Sequence, residues 1–202
     1  MSVRLGFFYG LAIFGALALS ACTSGSPPRD NYYHLSELSV STLSADGPIE
    51  GVIDVPPFRA AGIVNERAIL FRSGANQLSQ YSYHHWFESP GALLQRSIID
   101  ALRRAKTFEM VTSPEMRLDR DYELLGQLLR FEHVPATSSV VVELEISVRS
   151  VRGNDALILK TYSAEVPAPG RGVDAAVEGL SEALSSIVAE LLSDLASARA
   201  DT

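Results

Sequence analysis

The sequence predicts an α+β fold, a two-layer sandwich in which two amphipathic helices, the second C-terminal, cover a mainly antiparallel β-sheet. Three patterns lead to this prediction. Residues 139–149 alternate apolar and polar side chains, as in a strand with one buried and one solvated face. Residues after Ser89 and after Val173 repeat apolar side chains at helical spacing. The sequence has no internal repeat, and its length suits one domain over residues 32–198.

The first 21 residues have the pattern of a secretory signal peptide. Arg4 is the only charged residue before an almost wholly apolar run over residues 5–19, which is short for a membrane-spanning helix. The run ends in Leu19-Ser20-Ala21-Cys22, the pattern of a bacterial lipobox. We therefore predict a lipoprotein signal peptide over residues 1–21, cleavage between Ala21 and Cys22, and attachment of diacylglycerol and fatty acids such as palmitate to Cys22. The alternative is an ordinary signal peptide followed by a chance cysteine.

Residues 22–31 are predicted to be the lipidated cysteine and a flexible tether. The segment is polar and contains Pro27 and Pro28, with no apolar residue to bury. Two or three acyl chains hold a protein stably at a bilayer, so we expect a lipid-anchored protein on the periplasmic side of the cell envelope. Thr23 follows the cysteine. By resemblance to enteric sorting rules, a residue other than aspartate at this place favours the outer membrane over the inner membrane.

The charge balance argues against one class of partner. Removal of residues 1–21 takes away Arg4 and leaves 16 basic and 24 acidic residues, a net charge of −8. Nucleic-acid binding depends on Lys and Arg contacts to phosphate, so we predict no nucleic-acid partner. Cys22 is the only cysteine. No intramolecular disulfide can therefore form, and the hydrophobic core alone must hold the fold.

The first half of the domain has the pattern of short strands followed by a helix. Strands are predicted over residues 32–35, 49–55, 67–72 and 77–87, and the last two form a hairpin around residues 74–76. Ser89 and Pro90 then mark a helix start, because serine is a good N-cap and proline suits the first helical turn. A short strand over residues 108–112 follows the helix.

The second half is predicted to be a three-stranded meander and a long helix. The strand over residues 139–149 lies between strands over residues 122–131 and 156–166, with a turn at residues 152–155. From about Val173 an apolar stripe runs along the last helix. We expect this stripe to pack on the sheet rather than to bind lipid or a partner.

No pattern of catalytic, nucleotide-binding or metal-ligating residues is present. The sequence lacks a Gly-x-Ser-x-Gly elbow, a Walker A sequence and a dinucleotide-binding glycine pattern. His84, His85 and Glu88 are close in sequence, but neighbouring strand residues point to opposite faces, so the two histidines do not easily share one ion. We predict that the protein is not an enzyme and that it has no catalytic residue, no metal and no cofactor.

An aromatic segment, residues 81–87, is the best candidate for contact with another molecule. Strand alternation predicts Tyr81, Tyr83 and His85 on one side, with His84 and Trp86 on the other. Tyr and Trp are enriched at protein interfaces. We predict that Tyr81, Tyr83, His85 and Trp86 bind a partner. The alternative is that these rings fold onto the protein's own core.

An ordered series of short motifs runs through the chain. The lipobox is followed by Tyr32-Tyr33-His34-Leu35, Val52-Ile53-Asp54-Val55-Pro56-Pro57, Gly62-Ile63-Val64 with Arg67, Trp86-Phe87-Glu88-Ser89-Pro90, and Tyr122-Glu123-Leu124-Leu125-Gly126-Gln127 leading to Phe131-Glu132. In this order the motifs resemble the ABC-type transport auxiliary lipoprotein family, the PqiC-like proteins, over essentially the whole mature domain. The resemblance implies an α+β fold and one auxiliary domain over residues 32–198.

The resemblance also implies a function. The family is a non-catalytic part of MCE-type ABC systems, which move lipids or other hydrophobic molecules between the inner and outer membranes. It implies an MCE-domain protein as the partner and docking as the mechanism. It also implies a homo-oligomer, because MCE proteins form rings. Two alternatives stay open: a structural or regulatory lipoprotein of cell-wall synthesis or secretion, and an envelope hydrolase or metalloprotein using His84, His85 or Glu88.

Overall fold

A computed structural model describes residues 28–40, 47–153 and 155–200. The predicted signal peptide, Cys22 and most of the predicted tether lie outside the described residues. The elements in chain order are β1 (Asn31–Tyr33), β2 (Ile49–Asp54), β3 (Arg59–Ala60), β4 (Ala68–Gly74), β5 (Gln77–Trp86), α1 (Pro90–Ala105), β6 (Phe108–Thr112), β7 (Tyr122–Val134), β8 (Ser139–Ser150), β9 (Ala156–Pro167) and α2 (Val173–Ala200). Two short 3-10 turns lie at Gly62–Asn65 and Pro114–Met116.

Strand β7 organises the sheet. Strand β8 pairs along its whole length on one side, and β9 pairs with β8. On its other side β7 meets β2, β3 and β4 in succession. Strand β6 pairs with β2. Strand β5 pairs with β4, and β1 pairs with β5. Strands β1 and β9 are therefore the first and last strands of the pairing order β1–β5–β4–β7–β8–β9.

The structure confirms the α+β class and the two helices, but the sheet is mixed rather than mainly antiparallel. The pairs β4–β5, β7–β8 and β8–β9 are antiparallel, because a short turn joins each pair. The remaining pairs join strands that are distant in the chain, and these are parallel. Alternation of side chains reports which face is buried but not which way a distant neighbour runs, so the parallel pairs were not predictable.

The predicted hairpin and meander are both confirmed. Strands β4 and β5 are joined by a two-residue turn at 75–76. In the β7–β8–β9 meander, one face of β8 is fully buried, as its alternation predicted: Val140, Val142, Leu144, Ile146 and Val148 are each 0% exposed. The turn predicted at residues 152–155 lies between β8 and β9, with residue 154 outside the described residues.

Both helices contribute to the core, and α2 covers this buried face of β8. Their fully buried side chains include Leu94, Ile98 and Leu102 of α1, and Leu180, Leu184 and Leu191 of α2. Helix α2 packs on β7, β8 and β9, while α1 packs on β6 and β3. Burying one such side chain stabilises the fold by about 1.5–3 kcal/mol. The stripe on the last helix therefore lies against the sheet, as expected.

Phe58 closes the gap between the sheet and the start of α1. Its ring lies where a Cβ on Gly126 of β7 would stand, 2.1 Å from the nearest ring atom. Its carbonyl oxygen would lie 2.1 Å from a Cβ on Gly91, at the first turn of α1. The Phe58 amide also donates a hydrogen bond to the Gly91 carbonyl at 3.1 Å. Two glycines thus allow the helix, the loop and the sheet to approach closely, in the region of the predicted helix start.

Candidate functional site

The end of β5 and strand β1 form an aromatic surface at one end of the sheet. The two strands pair in parallel, with Tyr32 beside His85 and Tyr33 beside Trp86. Paired residues share a face and neighbours alternate. The pairing therefore gathers side chains from two distant segments of the sequence. We call the outward-facing set, Tyr32, His34, Tyr83, His85 and Phe87, the aromatic edge.

Most of the aromatic edge is exposed, and four of its rings contact one another in two pairs. The exposed fractions of Tyr32, Tyr83 and Phe87 are 54%, 48% and 51%. The Tyr32 and His85 ring centroids are 5.9 Å apart, and those of His34 and Phe87 are 4.5 Å apart. The Phe87 amide donates to the Tyr33 carbonyl at 2.8 Å, which fixes Phe87 against β1. These rings form a surface that can meet another molecule without rearrangement of the core.

Two charged side chains border the edge. The Arg67 guanidinium lies over the Tyr32 ring, 5.4 Å from its centroid, and its Nε donates to the Trp86 carbonyl at 2.9 Å. Such a cation–π contact at an exposed site contributes about 0.5–1 kcal/mol. Asp30 approaches the His85 ring at 3.7 Å. One positive and one negative side chain leave the edge without a strong charge of either sign.

Tyr83 has a strained backbone. Its φ of +63° lies in the left-handed region, which costs a residue with a side chain about 1–2 kcal/mol. The strain accompanies an irregularity in the β4–β5 pairing, where Ala68 faces His85 but Leu70 faces Gln80. Strained residues persist where the surrounding structure over-determines them, often at functional positions. Here the irregular segment leaves the Tyr83 side chain exposed.

The same irregularity divides the predicted partner-binding residues. Tyr81 turns inward, where its hydroxyl is hydrogen-bonded to His133 Nδ1 at 2.6 Å. Trp86 is 1% exposed and packs on Phe131, with ring centroids 5.1 Å apart. Trp86 therefore has no free surface for a partner, and its ring belongs to the core. The alternative interpretation, rings folded onto the core, holds for these two residues, while Tyr83 is exposed and His85 is half-buried.

Burial shifts the pKa values of two rings beneath the aromatic edge, Tyr81 and His133. Burial raises the pKa of the Tyr81 hydroxyl and lowers the pKa of the His133 ring. His133 therefore favours its neutral form beside the neutral phenol. The Tyr33 hydroxyl is hydrogen-bonded to His84 Nδ1 at 2.8 Å. These Tyr–His pairs satisfy polar groups beneath the edge and hold the inner rings in place.

A buried carboxylate lies next to this region. Glu132 is 2% exposed and receives two hydrogen bonds from Arg72, at 2.8 and 2.9 Å, and two from Arg130, at 2.6 and 3.1 Å. Burial alone raises the pKa of the Glu132 carboxyl, but the hydrogen bonds from the two arginines outweigh it and hold that pKa below its usual value. Glu132 is thus an ion-paired structural group that joins β4 to β7.

The histidines that suggested a metal site have separate partners. His84 is hydrogen-bonded to Tyr33, His85 faces Asp30, and Glu88 forms an ion pair with Arg96. Within the described residues, no group of three or more His, Cys, Asp or Glu side chains is arranged to hold a metal ion. His84 and His85 also lie on opposite faces of β5, in line with the strand geometry used in the sequence analysis.

Sequence reasoning missed Tyr32 and His34 as members of the candidate site, and it named the segment that contains Phe87 without selecting that residue. Phe87 belongs to the aromatic segment itself, and the run 32–34 is equally aromatic. That shared composition was the available signal. What joins the two segments is a parallel pairing over 50 residues of sequence separation, for which the sequence contains no turn or spacing signal.

Comparisons with known proteins place the chain in a family. The model of the family described as "ABC-type transport auxiliary lipoprotein component" matches residues 33–191. Among solved structures, a protein of Xanthomonas campestris assigned to the DUF330 family is 19% identical, with a TM-score of 0.74, over 85% of this chain and 98% of that chain. A crystal structure of an uncharacterized protein is 13% identical, with a TM-score of 0.68, over 83% of this chain and 99% of that chain.

These two structures share the fold at low sequence identity. A PelC dodecamer from Paraburkholderia phytofirmans is more distant, 14% identical with a TM-score of 0.48 over 78% of this chain and 95% of that chain. No curated protein matches the chain. Among the described helices, none has both the length and the apolar character required to cross a bilayer. The family match covers most of the chain, and the protein is therefore a member of the ABC-type transport auxiliary lipoprotein component family.

Proposed function

We propose that this protein is a non-catalytic auxiliary component of an MCE-type ABC transport system. It docks onto the periplasmic MCE substrate-binding protein and takes part in moving lipids or other hydrophobic molecules between the inner and outer membranes. The observation that carries the proposal is the family match over residues 33–191, which spans nearly all of the folded domain. ATPase and permease functions belong to other chains of the system.

The proposed position of the protein follows from its N-terminus. Lipid on Cys22 anchors it on the periplasmic side of the envelope, and Thr23 favours the outer membrane. The described domain begins within ten residues of that cysteine, so the domain stays close to the membrane that holds the lipid. A domain at the outer membrane is suited to receive the end of an MCE assembly anchored in the inner membrane.

A co-purification tests this function. A C-terminally tagged copy is cross-linked in living cells, the envelope is solubilised, and the proteins bound to the tagged chain are identified by mass spectrometry. The matched control keeps residues 1–31 and replaces the folded domain by an unrelated periplasmic domain. We expect an MCE-domain protein with the full chain and none with the control.

Three outcomes would contradict the proposal. Recovery of cell-wall or secretion proteins without an MCE protein would favour a structural or regulatory lipoprotein. Equal recovery of the MCE protein with the control would mean that the folded domain does not dock. Loss of function in cells after His84→Ala, His85→Ala or Glu88→Ala, with the fold intact, would instead favour the hydrolase or metalloprotein alternative.

A further inference from the structure

The aromatic edge is the exposed apolar surface closest in the chain to the predicted lipid. Tyr32, Tyr83 and Phe87 are each about half exposed, at 54%, 48% and 51%. The parallel pairing of β1 with β5 places them at one end of the sheet. Another large exposed apolar side chain, Leu159 at 72%, lies on β9 at the opposite end. The aromatic edge is therefore distinguished by its position next to the predicted anchor rather than by exposure alone.

Covalent geometry limits the distance between the edge and the bilayer. Asn31, the first residue of β1, follows Cys22 by nine residues. Nine residues span at most about 30 Å when fully extended, and about 15–18 Å as the average of a flexible chain. Because β1 itself carries Tyr32, the anchoring lipid and the aromatic edge stay within that distance of each other whatever the orientation of the domain.

The chemistry of the edge suits the interface of a bilayer. Tyrosine and other amphipathic rings concentrate at the level of the lipid head groups, where one part of the ring is apolar and another is wet. The edge contains two tyrosines, two histidines and a phenylalanine, bordered by Arg67. Asp30 balances that charge near His85, so the contact depends on the rings rather than on attraction to anionic lipids.

We propose that the aromatic edge lies on the membrane that holds the Cys22 lipid, with its rings in the head-group region. This inference rests on the lipid anchor of the proposed function, and it replaces the protein partner predicted for Tyr83 and His85 with a lipid surface. The contact orients the domain. Strand β1 lies toward the membrane, and β9 lies five pairing steps from β1 in the strand order of the sheet.

A fluorescence-quenching experiment on the full lipidated protein tests this contact. Lipid consumes the only native thiol, so an added cysteine gives one labelling site. Ser82→Cys places a fluorophore beside Tyr83, and Thr161→Cys places it on β9; both residues are exposed. Each labelled protein is reconstituted in vesicles of phosphatidylethanolamine and phosphatidylglycerol in which some lipids carry a nitroxide in the head group.

We expect strong quenching of the label at residue 82 and weak quenching at residue 161. Adding Tyr32→Ser and Phe87→Ser to the Ser82→Cys protein should reduce quenching to the level at residue 161. The matched control, Leu118→Ser with Leu159→Ser, removes two other exposed apolar side chains and should leave quenching at residue 82 unchanged. Circular dichroism on melting confirms that each variant is folded before it is used.

Several outcomes would overturn the contact. Equal quenching at residues 82 and 161 would mean that the edge does not face the bilayer, as would quenching at residue 82 that survives loss of both rings. Self-quenching between labels at residue 82 without lipid quenching would identify a second copy as the occupant. A cross-linker at residue 82 that captures an MCE protein, again without lipid quenching, would identify the protein partner.

The anchor and the docking function are measured separately. A protein that does not float with the vesicles would show that the anchor is absent, and it would overturn the membrane contact with it. The protein could float with the vesicles and co-purify an MCE protein, yet show no stronger quenching at residue 82 than at residue 161. That result would overturn only the orientation proposed for the domain.

Discussion

At the residue scale, the aromatic side chains of β5 divide between two environments. Tyr81 and Trp86 pack inward, whereas Tyr83 and His85 lie on the exposed edge. The irregular stretch around Tyr83, with its positive φ, separates Tyr81 from Tyr83 and His85, whereas Trp86 faces inward by ordinary strand alternation. Residues of the same type, two positions apart, therefore have different roles, and substitutions at these positions should separate stability from surface contact.

Tyr81→Phe should lower the free energy of unfolding by about 1 kcal/mol, because it removes the partner of a buried ring nitrogen on His133. Tyr83→Phe removes a hydroxyl from a side chain that is 48% exposed, so its stability should stay within about 0.5 kcal/mol of the unsubstituted protein. Urea unfolding of the two variants measures the difference. Equal stability of both would contradict a structural role for the Tyr81–His133 hydrogen bond.

Burial of His133 should make stability depend on pH. Its pKa in the folded protein lies below the ordinary value of 6.5, so the unfolded chain binds more protons as pH falls through 6.5. The folded protein should therefore lose stability on going from neutral pH to below 6.5. Chemical unfolding at a series of pH values should give a smaller loss for His133→Gln and an unchanged loss for His34→Gln, which alters an exposed ring. An equal loss of unfolding free energy with falling pH in all three proteins would rule out His133 as the cause.

Cys22→Ala should abolish lipid attachment, because no other residue of the chain has a thiol. Cells fed with labelled palmitate should label the unsubstituted protein and a Ser24→Ala control, and leave Cys22→Ala unlabelled and no longer tightly held at the membrane. Label retained on the alanine variant would contradict the prediction and favour the ordinary signal peptide.

At the element scale, the start of α1 depends on close approach between backbones. The predicted start at Ser89 and Pro90 is confirmed, although the Ser89 side chain makes no capping hydrogen bond. The Ala92 and Leu93 amides donate to the Ser89 carbonyl, each at 3.0 Å, and the Phe58 amide donates to the Gly91 carbonyl at 3.1 Å. The helix start is thus held by packing and a backbone hydrogen bond in addition to local sequence preference.

Gly91→Ala should lower the free energy of unfolding by about 1–3 kcal/mol, because overpacking at this position must displace backbone. The added Cβ would lie 2.1 Å from the Phe58 carbonyl oxygen. Gly74→Ala is the matched control, since its Cβ would meet only Gln77 at an ordinary 3.6 Å. Thermal melts compare the two variants, and a loss at Gly74 as large as that at Gly91 would refute the close-approach explanation.

At the scale of the whole molecule, helix α2 contacts both β9 and the chain that follows β1. Helix α2 is joined to β9 by polar contacts as well as by its apolar stripe: Asp194 accepts hydrogen bonds from Lys160 and Tyr162, each at 2.8 Å. Strand β1 carries part of the aromatic edge and follows the predicted tether. Helix α2 also contacts the chain that follows β1, because the Ser36 amide donates to the Ser181 hydroxyl at 3.0 Å.

We expect the protein to form a symmetric homo-oligomer, since it is proposed to meet a ring-forming MCE partner. Light scattering of the lipidated protein in mild detergent should give a protein mass several times that of one chain, which is 21.8 kDa before processing. The control is the same measurement after dilution, which distinguishes a stable assembly from concentration-dependent association. A strict monomer under all conditions would count against the oligomer.

Much of the fold was predictable because local patterns specify it. The strand over residues 108–112 and the start of α2 at Val173 agree with the structure residue for residue, since alternation and helical spacing depend on neighbours in the sequence. Strand β3, which is two residues long, was missed because its pairing with β7 leaves no periodic pattern. The candidate site was predicted in part. Composition identified residues 81–87, whereas Tyr32 and His34 belong to the site because β1 pairs with β5.

The sequence by itself determined the α+β class, the position of both helices, the buried face of β8 and the absence of any disulfide, because each depends on local periodicity or on residue type. Only the tertiary structure decided that the sheet is mixed, that Trp86 is buried, and that Tyr32 lies beside His85 on an exposed edge. These features depend on pairing between segments far apart in the chain. Such pairing is selected by the packing free energy of the whole molecule rather than by the preference of any one segment.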